Sequence, residues 1–227
     1  MPTLLLFDVN ETLLDLSSLD AVFRRQFPAE DAATLRRSWF STLLELFLTA
    51  TIVDRYRPFG ELADDALAIL CRQHGREASA ADHEGLRTAM TQLTPHQDVP
   101  GALARLRDGG YRLAALTNST AAAATALLTR TGLAPLFERI LSADAVRRYK
   151  PAPESYAYAV RELGVAPSGI LMVAAHDWDI AGALAAGLQG AFIARPGKAL
   201  GPGQAQPAYH VRDIAELADR VLAGDAR

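Results

Sequence analysis

Five short runs along the chain are apolar without alternation: TLLLFD (3–8), YRLAALT (111–117), RILS (139–142), ILMVAA (170–175) and GAFIA (190–194). Unbroken apolar runs of this length are the pattern of strands buried on both faces of a parallel sheet. Between them lie stretches with apolar positions at helical spacing: GALARLRDGG (101–110), STAAAATALLTRTG (119–132), PESYAYAVRELG (153–164) and DIAGALAAG (179–187). Gly132 and Gly164 stand where a helix C-cap favours glycine. Strand and helix alternating in this way predict an α/β fold, a doubly wound parallel sheet with right-handed crossovers.

Residues 17–93 interrupt the rhythm. SLDAVFRRQF, TLRRSWFSTLLELFLTA, FGELADDALAILCRQHG and DHEGLRTAMTQL are helical patterns, and no strand pattern separates them. The expected organisation is a core domain of residues 1–16 and 94–227, carrying an inserted all-helical cap domain of residues 17–93. TPHQDVPG (94–101) reads as the return hinge, and RPGKALGPGQAQP (195–207) as a Gly/Pro loop before a last strand and the helix DIAELADRVLAG.

Composition narrows the function classes. The chain of 227 residues is half apolar, enough for one core with an insertion, and its net charge of −3 comes with no basic stripe or basic amphipathic helix. No nucleic-acid or membrane partner is therefore expected. The early apolar run is broken by Asp8, Asn10 and Glu11 and lacks a basic leader, so a cytoplasmic protein is expected. The single cysteine, Cys71, excludes an internal disulfide and falls in a helical apolar pattern, where a packed core thiol is expected. Of 23 basic residues only Lys150 and Lys198 are lysines. In a chain that otherwise writes arginine, each lysine asks for a reason.

In a doubly wound sheet, ligands bind outside the carboxyl ends of the strands. The first strand end delivers Asp8, Asn10 and Thr12, and the second Thr117, Asn118 and Ser119. RRYKPAP, after the third, presents Lys150; AAHDWD, after the fourth, presents His176, Asp177 and Asp179. Each alone has an ordinary explanation: a turn aspartate, a helix start, a solvated lysine, a histidine satisfied by a carboxylate. Four polar strand ends converging on one rim do not.

These residues, as DxxxT, [ST]N, KP and an aspartate in a strand-to-helix turn, resemble the four ordered motifs of the haloacid dehalogenase superfamily. FDVNETLLD, KPAPESY and AAHDWDIAGALAAG look most like its L-2-haloacid dehalogenase (type II) branch. The resemblance implies a Rossmann-like core under a helical cap and a metal-independent reaction without cofactor. Asp8 would attack C2 of a small 2-haloalkanoic acid, expel halide and form an ester that water hydrolyses to the 2-hydroxy acid. Lys150 would keep Asp8 ionised; opposite charges at about 4 Å attract by roughly 4 kcal/mol at an effective dielectric near 20. Asp179 would orient Lys150 and the water, while Thr12, Thr117 and Asn118 would hold carboxylates. Phosphatases of the superfamily carry carboxylates where this chain has Asn10 and Ala175. An amide is no general acid and an alanine no magnesium ligand, whereas a halide leaves without proton or metal. Homodimerisation is a further implication of the resemblance.

Charge raises a question of its own. Asp8, Asp179 and Lys150 leave the site at −1, and an anionic substrate makes it −2. The resemblance implies a cap arginine as compensation. Among Arg36, Arg37, Arg55 and Arg57 the expectation falls on Arg37. His176 stands where many such dehalogenases have asparagine. Val9, Asn10, His176 and Trp178 beside the strand ends, with Phe59 and Tyr156, are expected to line the substrate pocket. The rivals are a magnesium-dependent phosphatase of the same superfamily and a non-catalytic interaction protein retaining the fold.

Overall fold

Leu4, Leu5, Leu6 and Phe7 have no exposed side-chain surface and form β1 (Leu4–Phe7), the central strand of a parallel sheet. Burying each such side chain contributes roughly 1.5–3 kcal/mol. The computed structural model describes residues 2–224; Met1 and residues 225–227, the two ends of the expected core ranges, lie outside them. The chain divides into two units, one made of the residues up to Leu14 and from Pro95 onward, the other of Asp15–Thr94. The two crossing points carry the two-residue strands β2 (Leu14–Asp15) and β3 (Thr94–Pro95), too short for any periodicity to announce.

In the first unit, β4 (Arg112–Thr117), β5 (Arg139–Ser142), β6 (Ile170–Ala174), β7 (Gln189–Ile193) and β8 (Tyr209–Val211) complete a six-stranded sheet of order β5-β4-β1-β6-β7-β8. All its pairings are parallel. Phe7 is opposite Ala115 on one side and Val173 on the other. The winding reverses at β1: the chain runs outward through β4 and β5, then returns to β6 on the other side. That reversal opens a crevice at the carboxyl ends of β1, β4 and β6, where doubly wound sheets bind ligands. Helices α5 (Val99–Asp108), α6 (Ala121–Arg130), α7 (Pro153–Leu163) and α8 (Asp177–Ala185) lie between the strands, and α9 (Ile214–Ala223) follows the last one. Gly164 caps α7 in the left-handed conformation at φ 63°, which a glycine adopts without strain.

The second unit is helical, with α1 (Asp20–Gln26), α2 (Ala32–Ile52), α3 (Phe59–Gln73) and α4 (Ala80–Met90). Asp31 caps α2 by accepting from Thr34 N–H, and Ser79 with Asp82 forms a capping box on α4. Leu35, Trp39, Leu43 and Phe47 recur every fourth residue on α2 and are buried. They meet α3, where the Trp39 indole N–H donates to Ala63 C=O at 3.0 Å. Cys71 is buried on α3, in keeping with a packed thiol. Among the described residues no helix is long and apolar enough to cross a membrane.

Candidate active site

The site grows out of the turn after β1. Asp8 N–H still donates to Val173 C=O of β6, at 3.0 Å, and then the backbone folds back as Val9 C=O accepts from both Leu13 and Leu14. The turn brings Asp8, Glu11 and Thr12 into one place. Glu11 adopts φ 60°, in the left-handed region that costs a residue with a side chain roughly 1–2 kcal/mol. The Thr12 hydroxyl accepts from Ala175 N–H at 2.9 Å, so its single proton is directed to Asp8 Oδ2, 2.7 Å away.

Lys150 has no exposed surface. Its three ammonium protons have three acceptors: Asp8 Oδ1 at 2.9 Å, Asp179 Oδ2 at 2.6 Å and Leu116 C=O at 2.9 Å. Asn118 fixes the lysine from behind, accepting from Lys150 N–H at 2.8 Å and donating to Lys150 C=O at 3.2 Å. Asp179, in the first turn of α8, receives the Tyr156 hydroxyl on Oδ1 at 2.7 Å.

His176 occupies the other flank of Asp8. Its Nδ1 lies 3.2 Å from Asp8 Oδ2 and its Nε2 3.0 Å from Glu11 Oε2. The same Glu11 oxygen accepts from Lys198 Nζ at 2.5 Å. The Trp178 ring stacks on the imidazole, with centroids 4.8 Å apart and planes 22° apart. A carboxylate is an acceptor only, so two of them facing the two ring nitrogens favour the doubly protonated imidazolium.

The protonation equilibria follow from these contacts. Burial would raise the Asp8 carboxyl, but the charge of Lys150 and then His176 outweigh it and hold Asp8 well below the usual carboxylate range. For Glu11 burial is outweighed by His176 and Lys198, and its pKa falls to about 2. Burial also opposes protonation of Lys150 and His176, yet their carboxylate neighbours raise both. Two carboxylates share one ammonium at Lys150, and Asp179 is the one whose pKa rises, by burial and by the nearby charge of Asp8. Asp8, Asp179 and Glu11 against Lys150, His176 and Lys198 sum to zero, where the sequence count of three groups left −1.

The expected residues do not all sit as foreseen. Asp8, Thr12, Lys150, Asp179 and His176 are joined directly. Asn118 holds the Lys150 backbone and not a carboxylate, because its amide matches the paired N–H and C=O of that residue. Thr117 Oγ1 accepts from Ser119 N–H at 3.1 Å, a turn contact. Asn10 is buried and donates to Ser119 Oγ at 3.2 Å, and Val9 is buried beside it. Tyr156, expected to line a pocket, points its hydroxyl at Asp179. In the helical unit, Phe59 is buried against Phe47, with ring centroids 6.5 Å apart. Arg37 is 60% exposed and engages Thr34 and Asp31 of its own helix start. Of the four arginines considered, Arg36 is the one drawn out of solvent, 13% exposed and bonded to Asp20 at 2.6 Å. Glu11 and Lys198 were absent from the expected set. The rarity of lysine was the available signal for Lys198. Among the described residues, no group of three or more His, Cys, Asp or Glu side chains is disposed to hold a metal ion.

Comparison with known proteins gives a consistent picture. A family model described as haloacid dehalogenase-like hydrolase matches residues 2–187. The chain is 30% identical over 213 residues to the (S)-2-haloacid dehalogenase of Pseudomonas sp. strain YL, covering 94% of this chain and 91% of that one. It is 31% identical over 193 residues to haloacetate dehalogenase H-2 of Moraxella sp. strain B, covering 84% and 85%. Among solved structures, L-2-haloacid dehalogenase from Xanthobacter autotrophicus matches with a TM-score of 0.92 at 26% identity over 100% of both chains. The structure of that enzyme with chloropropionic acid covalently bound matches with a TM-score of 0.90 at 26% identity, over 97% of this chain and 98% of that one.

Proposed function

We propose, for a chain that belongs to the haloacid dehalogenase-like hydrolases, that it hydrolyses small 2-haloalkanoic acids to 2-hydroxy acids through an ester on Asp8. The observation that carries this reading is a buried carboxylate kept ionised by Lys150 while Asn10 and Ala175 stand where a phosphatase needs carboxylates. An ionised, partly desolvated carboxylate is a nucleophile, and a halide needs no proton to leave. Attack of Asp8 on C2 forms the C–O bond as the C–halogen bond breaks, with inversion at C2. Water then adds to the ester carbonyl carbon, giving its proton to Asp179. The bond from that carbon to the alkyl oxygen breaks, the alkoxide recovers the proton, and the 2-hydroxy acid departs. The net products are halide, one proton and the hydroxy acid, with Asp8 restored.

Relatives named for (S)-2-haloacids support the L enantiomer as substrate. The substrate is a small anion met in the cytoplasm, with no nucleic acid or membrane partner. A cap arginine compensating the substrate's charge remains part of this reading.

The test is halide release from L- and D-2-chloropropionate and from chloroacetate in excess EDTA. Wild type is expected to release chloride from the L acid, and Asp8→Asn to lose on the order of 10⁴-fold or more of that rate. Phosphate-ester hydrolysis that requires Mg²⁺, without halide release, would overturn the reading.

A further inference from the structure

Resting on the haloacid reading, we infer that His176, held in its imidazolium form between Asp8 and Glu11 and balanced by Lys198, is the second donor of an oxyanion site on Asp8 Oδ2 that drives hydrolysis of the ester. The two oxygens of Asp8 are not equivalent. Oδ1 meets Lys150 alone, whereas Oδ2 meets both the Thr12 hydroxyl at 2.7 Å and His176 Nδ1 at 3.2 Å. Oδ1 is therefore the freer oxygen to attack C2, and Oδ2 becomes the carbonyl oxygen of the ester. When water adds to the carbonyl carbon, negative charge develops on Oδ2, where two donors already point. A donor fixed in advance at the site of developing charge is the largest single contribution in many acyl transfers.

The proton inventory closes without using His176 as an acid or a base. The water proton goes to Asp179 and returns to the departing alkoxide; His176 keeps both ring protons throughout. Glu11 makes this possible, since its carboxylate on Nε2 requires a proton there and its charge stabilises the cation. Lys198 opposes Glu11 and moderates the effect. The groups facing the imidazole are Asp8 at the end of β1, Glu11 in the turn after it and Lys198 in the loop after β7. Beyond them lie Lys150, bonded to Asp8, and Asp177 on its own helix, which accepts from Gln204 at 3.1 Å. Lys198 and Glu11 are thus positioning residues acting through His176, and the neutral sum of the six groups depends on both.

Rapid-quench mass spectrometry of the Asp8 peptide during turnover of L-2-bromopropionate separates ester formation from ester hydrolysis. His176→Ala is expected to form the ester and hydrolyse it on the order of 10²-fold more slowly, the usual loss of one oxyanion donor, so that the ester accumulates. His176→Asn, a neutral donor, should recover part of that rate. In wild type the hydrolysis rate should fall as pH rises through the raised His176 value. Lys198→Met should move that limb to higher pH, and Glu11→Gln to lower pH. An acid limb that Lys198→Met and Glu11→Gln shift, in place of the alkaline one, would make His176 a proton acceptor and overturn the inference, as would unchanged hydrolysis in His176→Ala; an acid limb those variants leave in place belongs to Asp179. Halide release with no Asp8 ester in either wild type or His176→Ala, or no halide release at all, would overturn the haloacid reading and this inference with it.

Discussion

An ammonium with no solvent exposure survives in a fold only if each of its protons has an acceptor, and Lys150 meets that condition with two carboxylates and a carbonyl. Lys150→Met keeps the volume and removes the charge, leaving Asp8 and Asp179 facing each other in an apolar site. The expected cost is about 3–5 kcal/mol of folding stability, measured by urea denaturation, together with loss of halide release. Tyr156→Phe is milder: it strips one donor from Asp179 Oδ1 and should cost about 1–3 kcal/mol, checked the same way. Residue types explain what could be read in advance. Asp8, Thr12, Lys150 and Asp179 are polar residues directly after apolar strands, and topology alone brings them together. Glu11 and Lys198 meet across 187 positions through a Gly/Pro loop whose path no periodicity encodes. Asn118 was legible as a site residue, but its partner was not, because pairing with the Lys150 backbone depends on where a loop passes.

Strands and helices long enough to repeat were legible from their spacing, and the ends were not. The α2 pattern suggested residues 34–50, while the helix runs Ala32–Ile52 because Asp31 supplies the cap. The two-residue strands at the crossing points carried no signal at all. One close approach between elements has functional weight. A Cβ on Gly182 of α8 would lie 2.6 Å from the Tyr156 hydroxyl and 2.6 Å from Pro151 Cβ. Gly182→Ala must push α7 or its tyrosine away, and Tyr156 is the donor that holds Asp179. It should therefore lower kcat for halide release by more than it lowers thermal stability, a split not expected of an ordinary helix glycine, where alanine raises stability by roughly 0.5–1 kcal/mol.

At the scale of the whole molecule, the ion cluster gives folding stability a pH dependence with two limbs. Asp8 and Glu11 have folded values below their unfolded ones, so their contribution is present above about pH 4 and is lost as pH falls toward the folded values. His176 is raised, so its contribution is present below about pH 6.5 and disappears as pH climbs through the folded value. Asp179, raised by burial, works against the carboxylate limb once ionised. Thermal unfolding midpoints from pH 3 to 9 should pass through a maximum between these limbs, and Glu11→Gln should flatten the acid side. The four ordered motifs made the fold family legible from the chain as a whole; the neutral charge of the cluster was not, since it rests on contacts between distant loops. The scarcity of lysine has a practical side as well. With Lys150 sealed and the side chain of Lys198 23% exposed, Lys198 is the one side-chain amine within reach of an acylating dye or an activated resin. Coupling to side-chain amines, usually treated as random, would fall on the partner of Glu11, with an α-amino group as its one competitor, and since Cys71 is buried, attachment through surface carboxyls would be the gentler way to immobilise the protein.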